Sequence, residues 1–155
     1  MRNIDAKLIE ETVARLCIEA NLRLPDDVVS AIERAEIEEP WGGAKRILSL
    51  LNDNVRIAAE KTLPVCQDTG MACVFLELGQ DVHIDGALEE AVNNGVRRGY
   101  GDGYLRKSVV CDPLRRVNTG DNTPALLSVK LVPGDSLKIT VMPKGFGSEN
   151  MSALK

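Results

Sequence analysis

Pro64-Val65-Cys66-Gln67-Asp68-Thr69-Gly70 separates a helical pattern that ends near Lys61 from a strand-like apolar run, Ala72 to Leu78. The period of the apolar residues changes across this heptapeptide. That change predicts a turn between rigid elements and sets the fold class: α+β, with N-terminal helices packed against a small mixed β-sheet. The turn carries a thiol, an amide, a carboxylate and a hydroxyl in consecutive positions and closes on a glycine. Functional groups on a turn between rigid elements are a common way to build a site. A thiolate at Cys66 suits a soft metal or an iron–sulfur cluster, and a carboxylate at Asp68 can move a proton. Composition alone favours a plainer reading, in which Cys66 is a small buried apolar residue.

Upstream of the turn, Ile4, Leu8, Val13, Leu16, Cys17 and Ala20 fall on one face at helical spacing, with Asn3 as N-cap. Pro25-Asp26-Asp27 opens a second helix whose inner face is Val28, Ala31, Ile32 and Ala35. Pro40-Trp41-Gly42-Gly43 interrupts the pattern. A third helix, from about Ala44 to Lys61, is expected to bury Ile47, Leu48, Leu51, Val55 and Ala58. Residues 1–62 read as a helical scaffold. Residues 63–155 read as a mixed-sheet part carrying the site motifs, the whole forming one domain.

Downstream, Cys73 lies inside the predicted strand and reads as core. His83, the single histidine, lies in a polar connection and reads as surface. Asp85 to about Arg98 is helical. From Gly99 to Thr123 the periodicity weakens into a long Gly/Arg-rich loop with little to bury, and connections of that length are usually functional or disordered. Leu126–Val132 and Leu137–Met142 read as strands, and the Val132-Pro133-Gly134-Asp135-Ser136 link between them reads as a hairpin.

A chain of 155 residues with 44% apolar content can bury a core of its own. A net charge of −4 argues against a general nucleic-acid or anionic-membrane binder. No run approaches the length of a membrane span, and the N-terminus has no signal-peptide centre. The expected address is the cytoplasm, with Cys17, Cys66, Cys73 and Cys111 as reduced thiols or ligands.

Two further groups carry chemistry. Arg97, Arg98, Arg106, Lys107, Arg115 and Arg116 concentrate positive charge, against only Asp102 and Asp112. This reads either as an anion site, since arginine grips carboxylates with two parallel hydrogen bonds, or as a solvated loop. Tyr100 and Tyr104 can stack on bases, a weak signal without further aromatics. Lys144-Gly145-Phe146-Gly147-Ser148-Glu149-Asn150 follows a strand, and its glycines let backbone N–H groups converge on an anion. It lacks the ending of a P-loop.

Val65-Cys66-Gln67-Asp68-Thr69-Gly70, followed by Lys144-Gly145-Phe146-Gly147-Ser148-Glu149-Asn150-Met151-Ser152, resembles the class I fumarate hydratase and L-tartrate dehydratase family. The likeness is to the N-terminal half of the alpha subunit and covers essentially the whole chain. It implies a hydro-lyase whose [4Fe–4S] cluster is held by three cysteines, with an open iron acting on the substrate hydroxyl. By motif position, Cys66 is one cluster ligand, Gln67 and Asp68 contact the substrate, and Asp68 transfers a proton. Arg106, in Gly103-Tyr104-Leu105-Arg106-Lys107-Ser108, matches an arginine that grips a substrate carboxylate. Gly145 and Gly147 offer backbone donors; many members have a glycine where this chain has Phe146.

The resemblance also implies that the other two cluster cysteines lie beyond the position of Lys155, since Cys73 and Cys111 do not match them. The tail Asn150-Met151-Ser152-Ala153-Leu154-Lys155 reads as the start of a helix, so a fragment of an alpha subunit is expected. Its expected partners are a small dicarboxylate and a beta subunit or C-terminal domain of the same enzyme, in an oligomer. The preferred reading is reversible hydration of fumarate to malate. L-Tartrate dehydratase uses the same motifs, and a catalytically inactive truncated module is the rival from another class. A thiol or zinc protein on Cys66, Cys73 and Cys111 is disfavoured, because no C-x-x-C spacing occurs.

Overall fold

A computed structural model of the chain describes residues 1–147. The motif residues Ser148, Glu149 and Asn150 and the helix expected after them lie outside that range. The element order is β1 (Arg2–Asp5), α1 (Ala6–Leu22), α2 (Asp26–Glu38), α3 (Gly42–Lys61), β2 (Met71–Gly79), β3 (Val82–Asp85), α4 (Leu88–Asp102), β4 (Leu126–Val132) and β5 (Leu137–Lys144). The fold is α+β. No described helix is long and apolar enough to cross a membrane.

The chain forms two compact units. Among the described residues, one comprises 1–20 together with 68–147; the other is Asn21–Gln67.

In the first unit, β2 is the central strand of a three-stranded sheet of order β4-β2-β5, parallel to β4 and antiparallel to β5. The hairpin expected at 132–136 does not form. β4 and β5 lie on opposite edges of β2, and the link passes across the end of that strand. There Gly79 N–H donates to Ser136 O (2.8 Å), Gln80 N–H to Val132 O (2.9 Å) and Asp81 N–H to Gly134 O (2.9 Å). The long apolar strand β2 takes the centre, where both of its edges find partners.

One face of the sheet is covered by α1 and α4. Ala72, Val74 and Leu76 of β2 join Ile9, Val13 and Cys17 of α1 and Ala91, Val92, Val96 and Tyr100 of α4 in a single buried cluster. The buried face of α1 is therefore Ile9, Val13 and Cys17, whereas Leu8 is 56% exposed. The shift follows from the start of the chain. Residues 2–5 form β1, parallel to β3, so Ile4 belongs to a strand. Asp5, rather than Asn3, caps the helix by accepting from Lys7 N–H at 2.8 Å. α4 runs to Asp102 through Gly99, where a side chain would sit 2.7 Å from Ala14 O, so glycine there permits the close approach of α1 and α4. The connection without regular structure begins only at Gly103, and it does bury side chains: Leu105, Val109 and Asn122.

In the second unit, α2 and α3 are tied by Asn52 Nδ2 donating to Glu36 Oε2 at 2.6 Å. The expected burial of their apolar stripes is not observed. Val28, Ala31 and Ala35 are exposed, as are Ile47 and Leu51; Ile32, Leu48 and Val55 are half-buried, and only Ala58 is buried. Two helices make one seam, and one seam covers only part of a helical stripe.

Candidate functional site

Sheet register brings three separated segments to one end of the sheet. β2 pairs antiparallel with β5, Met71 opposite Lys144, so residues preceding β2 emerge beside those following β5. β4 runs parallel to β2, Leu126 opposite Cys73, so the approach to β4 arrives at the same end. Gly70 shows how tight the convergence is. It has φ +57, and a Cβ on it would lie 1.9 Å from Lys144 O, a position open only to glycine.

The result of that convergence is visible at Asp68. Its Oδ2 accepts hydrogen bonds from Gly147 N–H at 2.8 Å and Phe146 N–H at 2.9 Å. Gly145 leaves room for the carboxylate, since a Cβ there would lie 3.0 Å from Oδ2. The backbone nest read from the glycines thus exists, its donors are Phe146 and Gly147, and the anion in it is the chain's own Asp68. Gly147 N–H is the largest influence on this carboxyl and desolvation opposes it. The Phe146 N–H, the Arg106 charge and the Gly70 N–H tip the balance, and the pKa is held below its ordinary 3.8. Asp68 is a carboxylate at neutral pH.

Asp68, Arg106, Ser108, Arg116, Phe146 and Gly147 are among the residues lining a cleft of about 740 Å³. Arg106 is held by its backbone: Thr69 Oγ1 donates to Arg106 O at 2.8 Å, and the preceding residue, Leu105, is buried. Tyr100 OH donates to Thr69 O at 2.7 Å, which fastens the same turn to α4. Tyr100 is itself buried and so unavailable for stacking, while Tyr104 is exposed. Ser108 Oγ is buried on the cleft wall with no hydrogen-bond partner among the described residues.

The basic cluster divides by task. Arg97 Nε donates to Asp121 Oδ2 at 2.9 Å, and Arg98 pairs with Glu10 at 3.5 Å. Arg106, Lys107 and Arg116 line the cleft instead. Cys66 and Gln67 belong to the helical unit, and both are exposed. Cys73 is buried in β2, as expected of core, and Cys17 is buried in α1, where burial pushes its thiol up to about 12. Cys111 is exposed, and His83 is exposed on β3. Among the described residues no three His, Cys, Asp or Glu side chains converge on a metal position.

Asn122 escaped the sequence reading. It is fully buried at φ +65 and makes three hydrogen bonds to the segments that carry Asp68 and Arg106. Its only signal in the sequence is the run Thr119-Gly120-Asp121-Asn122-Thr123-Pro124, whose residue types mark a turn without marking a role.

The profile of the family described as Fumarate hydratase (Fumerase) matches residues 10–155. The chain is 36% identical over 154 residues to the putative L(+)-tartrate dehydratase subunit alpha of Methanocaldococcus jannaschii, an alignment covering 95% of this chain and 54% of that protein. It is 41% identical over 103 residues to the anaerobic class I fumarate hydratase of Escherichia coli, covering 65% of this chain and 19% of that protein. It is also 30% identical over 143 residues to an Escherichia coli L(+)-tartrate dehydratase subunit alpha, covering 90% and 47%. The chain spans about half the length of the subunit-alpha relatives and about a fifth of that fumarate hydratase.

Proposed function

The chain belongs to the fumarate hydratase (Fumerase) family, and from that premise we propose that it is the N-terminal region of a hydro-lyase alpha subunit that hydrates fumarate reversibly to malate. The observation that carries this reading is the Asp68–Arg106 cleft, where an ionised carboxylate and a guanidinium from separate segments face one space.

In dehydration, the C–H bond next to one carboxylate breaks and its electron pair becomes the second bond of the double bond. Hydroxide leaves from the neighbouring carbon and ends, with a proton from solvent, as water, a departure that a bound [4Fe–4S] cluster would assist as a Lewis acid; hydration reverses each step. Arg106 takes a substrate carboxylate through two parallel hydrogen bonds, fixing which carbon faces the base. Asp68 accepts the proton in dehydration and returns it in hydration. Its ionised state suits it to accept. The N–H groups of Phe146 and Gly147 that keep it ionised also weaken it as a base. Gln67 is assigned to substrate binding, and Gly145 and Gly147 to the substrate-facing backbone, on motif position.

Cys66 is proposed as one ligand of a [4Fe–4S] cluster whose remaining ligands come from outside the described residues. Its exposed thiol suits a reducing, cytoplasmic setting. Two relatives carry "subunit alpha" in their names. The partner proposed here is accordingly a beta subunit or C-terminal domain of the same enzyme, in an oligomer.

Dehydration of L-tartrate is a second reading, favoured by the relative of that name whose alignment covers 95% of the chain. The test is to purify the chain without oxygen, alone and with its partner, and to measure consumption of fumarate and formation of oxaloacetate from L-tartrate. The 155-residue chain alone is expected to hold no stable cluster and to be inactive. The assembled protein is expected to consume fumarate. Tartrate turnover without fumarate turnover would select the second reading, and no turnover of either would support the inactive-module rival.

A further inference from the structure

We infer that Asn122 is a positioning residue that, together with the Thr69 Oγ1–Arg106 O hydrogen bond, sets the distance between the Asp68 turn and the Arg106 loop; its role in turnover rests on the hydration reading above. One buried amide side chain serves both segments. Asn122 Oδ1 accepts from Ser108 N–H at 2.7 Å and from Val109 N–H at 3.1 Å, just beyond Arg106. Asn122 Nδ2 donates to Gly70 O at 3.0 Å, two residues after Asp68. The acceptor end therefore holds the arginine loop and the donor end holds the carboxylate turn. The planar amide fixes the span between them.

The segment carrying Asn122 is itself anchored to α4. On one side, Asp121 Oδ2 accepts from Arg97 Nε at 2.9 Å, while Asp121 Oδ1 accepts from Thr123 N–H at 3.0 Å and Thr123 Oγ1 at 2.7 Å. On the other, Asn93 Oδ1 accepts from Ala125 N–H at 2.9 Å. Asn122 sits between these fastenings at φ +65, a conformation that asparagine and aspartate adopt more readily than other side chains. A buried amide with all three bonds made is costly to displace, so its position is well determined. α4 also reaches the Asp68 turn directly through Tyr100 OH to Thr69 O at 2.7 Å. The helix is thus the common frame, and Asn122 links the two functional segments beside the direct Thr69 Oγ1–Arg106 O hydrogen bond of 2.8 Å.

Two variants separate the two ends of the amide. Asn122→Asp keeps an oxygen acceptor for Ser108 and Val109 but sets a second oxygen against Gly70 O, removing the Gly70 fastening of the Asp68 turn. Asn122→Ala removes both ends. Amide exchange on the 155-residue chain, under conditions where a thermal melt verifies that each variant is folded, reads the effect directly. In Asn122→Asp, the Phe146 and Gly147 amides that bind Asp68 should exchange faster while Ser108 and Val109 stay protected. In Asn122→Ala all four should accelerate. In the assembled enzyme, Asn122→Asp should lower kcat by roughly 10- to 100-fold, the scale of a small misplacement of a reacting group, with KM for fumarate near native. Asn122→Ala should change both. Exchange rates unaltered in the folded variants, or both pairs of amides opening equally in Asn122→Asp, would overturn the inference. So would a kcat equal to native in Asn122→Asp. An unmutated assembly that consumes no fumarate would instead overturn the hydration reading, and the exchange data would still decide the role of Asn122.

Discussion

Gly147 N–H donates to Oδ2 of Asp68 at 2.8 Å, a contact between residues 79 apart in sequence. Both residues flank paired strands, Asp68 ahead of β2 and Gly147 beyond β5. The contact therefore follows from the Met71–Lys144 register. Anything that shifts that register by one residue separates the carboxylate from its donors.

Gly70→Ala tests how closely the turn and the end of β5 approach. The added Cβ would lie 1.9 Å from Lys144 O on a residue at φ +57. Alanine in a left-handed position destabilises by more than ~1 kcal/mol from conformation alone, and the overlap adds to that. A lower urea midpoint and faster exchange at Phe146 and Gly147 are expected. A variant as stable as the native chain would refute the tight approach.

Acid stability is tied to Asp121. Desolvation pushes its carboxyl up, but the Thr123 hydroxyl and N–H and the Arg97 guanidinium outweigh it, bringing the pKa from 3.8 down to about 2. A depressed folded-state pKa stabilises above the unfolded value. That contribution is lost as pH falls from about 3.8 to about 2. Urea midpoints measured across this window should fall with pH, and less steeply in Asp121→Asn. Parallel curves for the two proteins would remove Asp121 from the account.

The four thiols should divide into two classes. Cys66 and Cys111 are exposed, whereas Cys17 and Cys73 are buried, and burial raises both of the buried thiols. A maleimide probe on the folded chain should modify the first pair quickly and the second only on unfolding, as peptide mapping would reveal. Rapid modification of Cys17 would contradict the packing of α1 on the sheet.

Some of this was legible in the sequence because it is local. The change from helical to strand-like period at 64–70 marks the turn, and the glycines at 145 and 147 mark the nest. Other features depend on which elements meet. Val132-Pro133-Gly134-Asp135-Ser136 has the residue types of a hairpin, and the same residues serve equally well to cross the end of β2. The stripes on α2 and α3 have helical periodicity, yet periodicity does not say whether anything covers them. Asn122 is a single amide whose partners come from residues 70, 108 and 109, and turn chemistry alone gives no hint of that span.

Arg106→Lys keeps the charge and loses the two-pronged geometry. If the substrate carboxylate is held equally in ground and transition states, the variant should raise KM for fumarate and leave kcat less affected. Steady-state kinetics on the assembled protein would decide this. A large fall in kcat at unchanged KM would mean that the contact forms mainly in the transition state.

The central claim, that the ionised carboxylate of Asp68 moves the proton in a dicarboxylate hydro-lyase, is tested most directly by kcat for fumarate hydration in Asp68→Asn. The substitution nearly preserves shape and removes the titrating group. Loss of a general acid–base group typically costs about 10²–10⁴-fold, and a fall of that size in kcat, at unchanged iron content, is the predicted result. A kcat close to that of the unmutated assembly would contradict it and leave Asp68 as a group that only orients the 145–147 backbone.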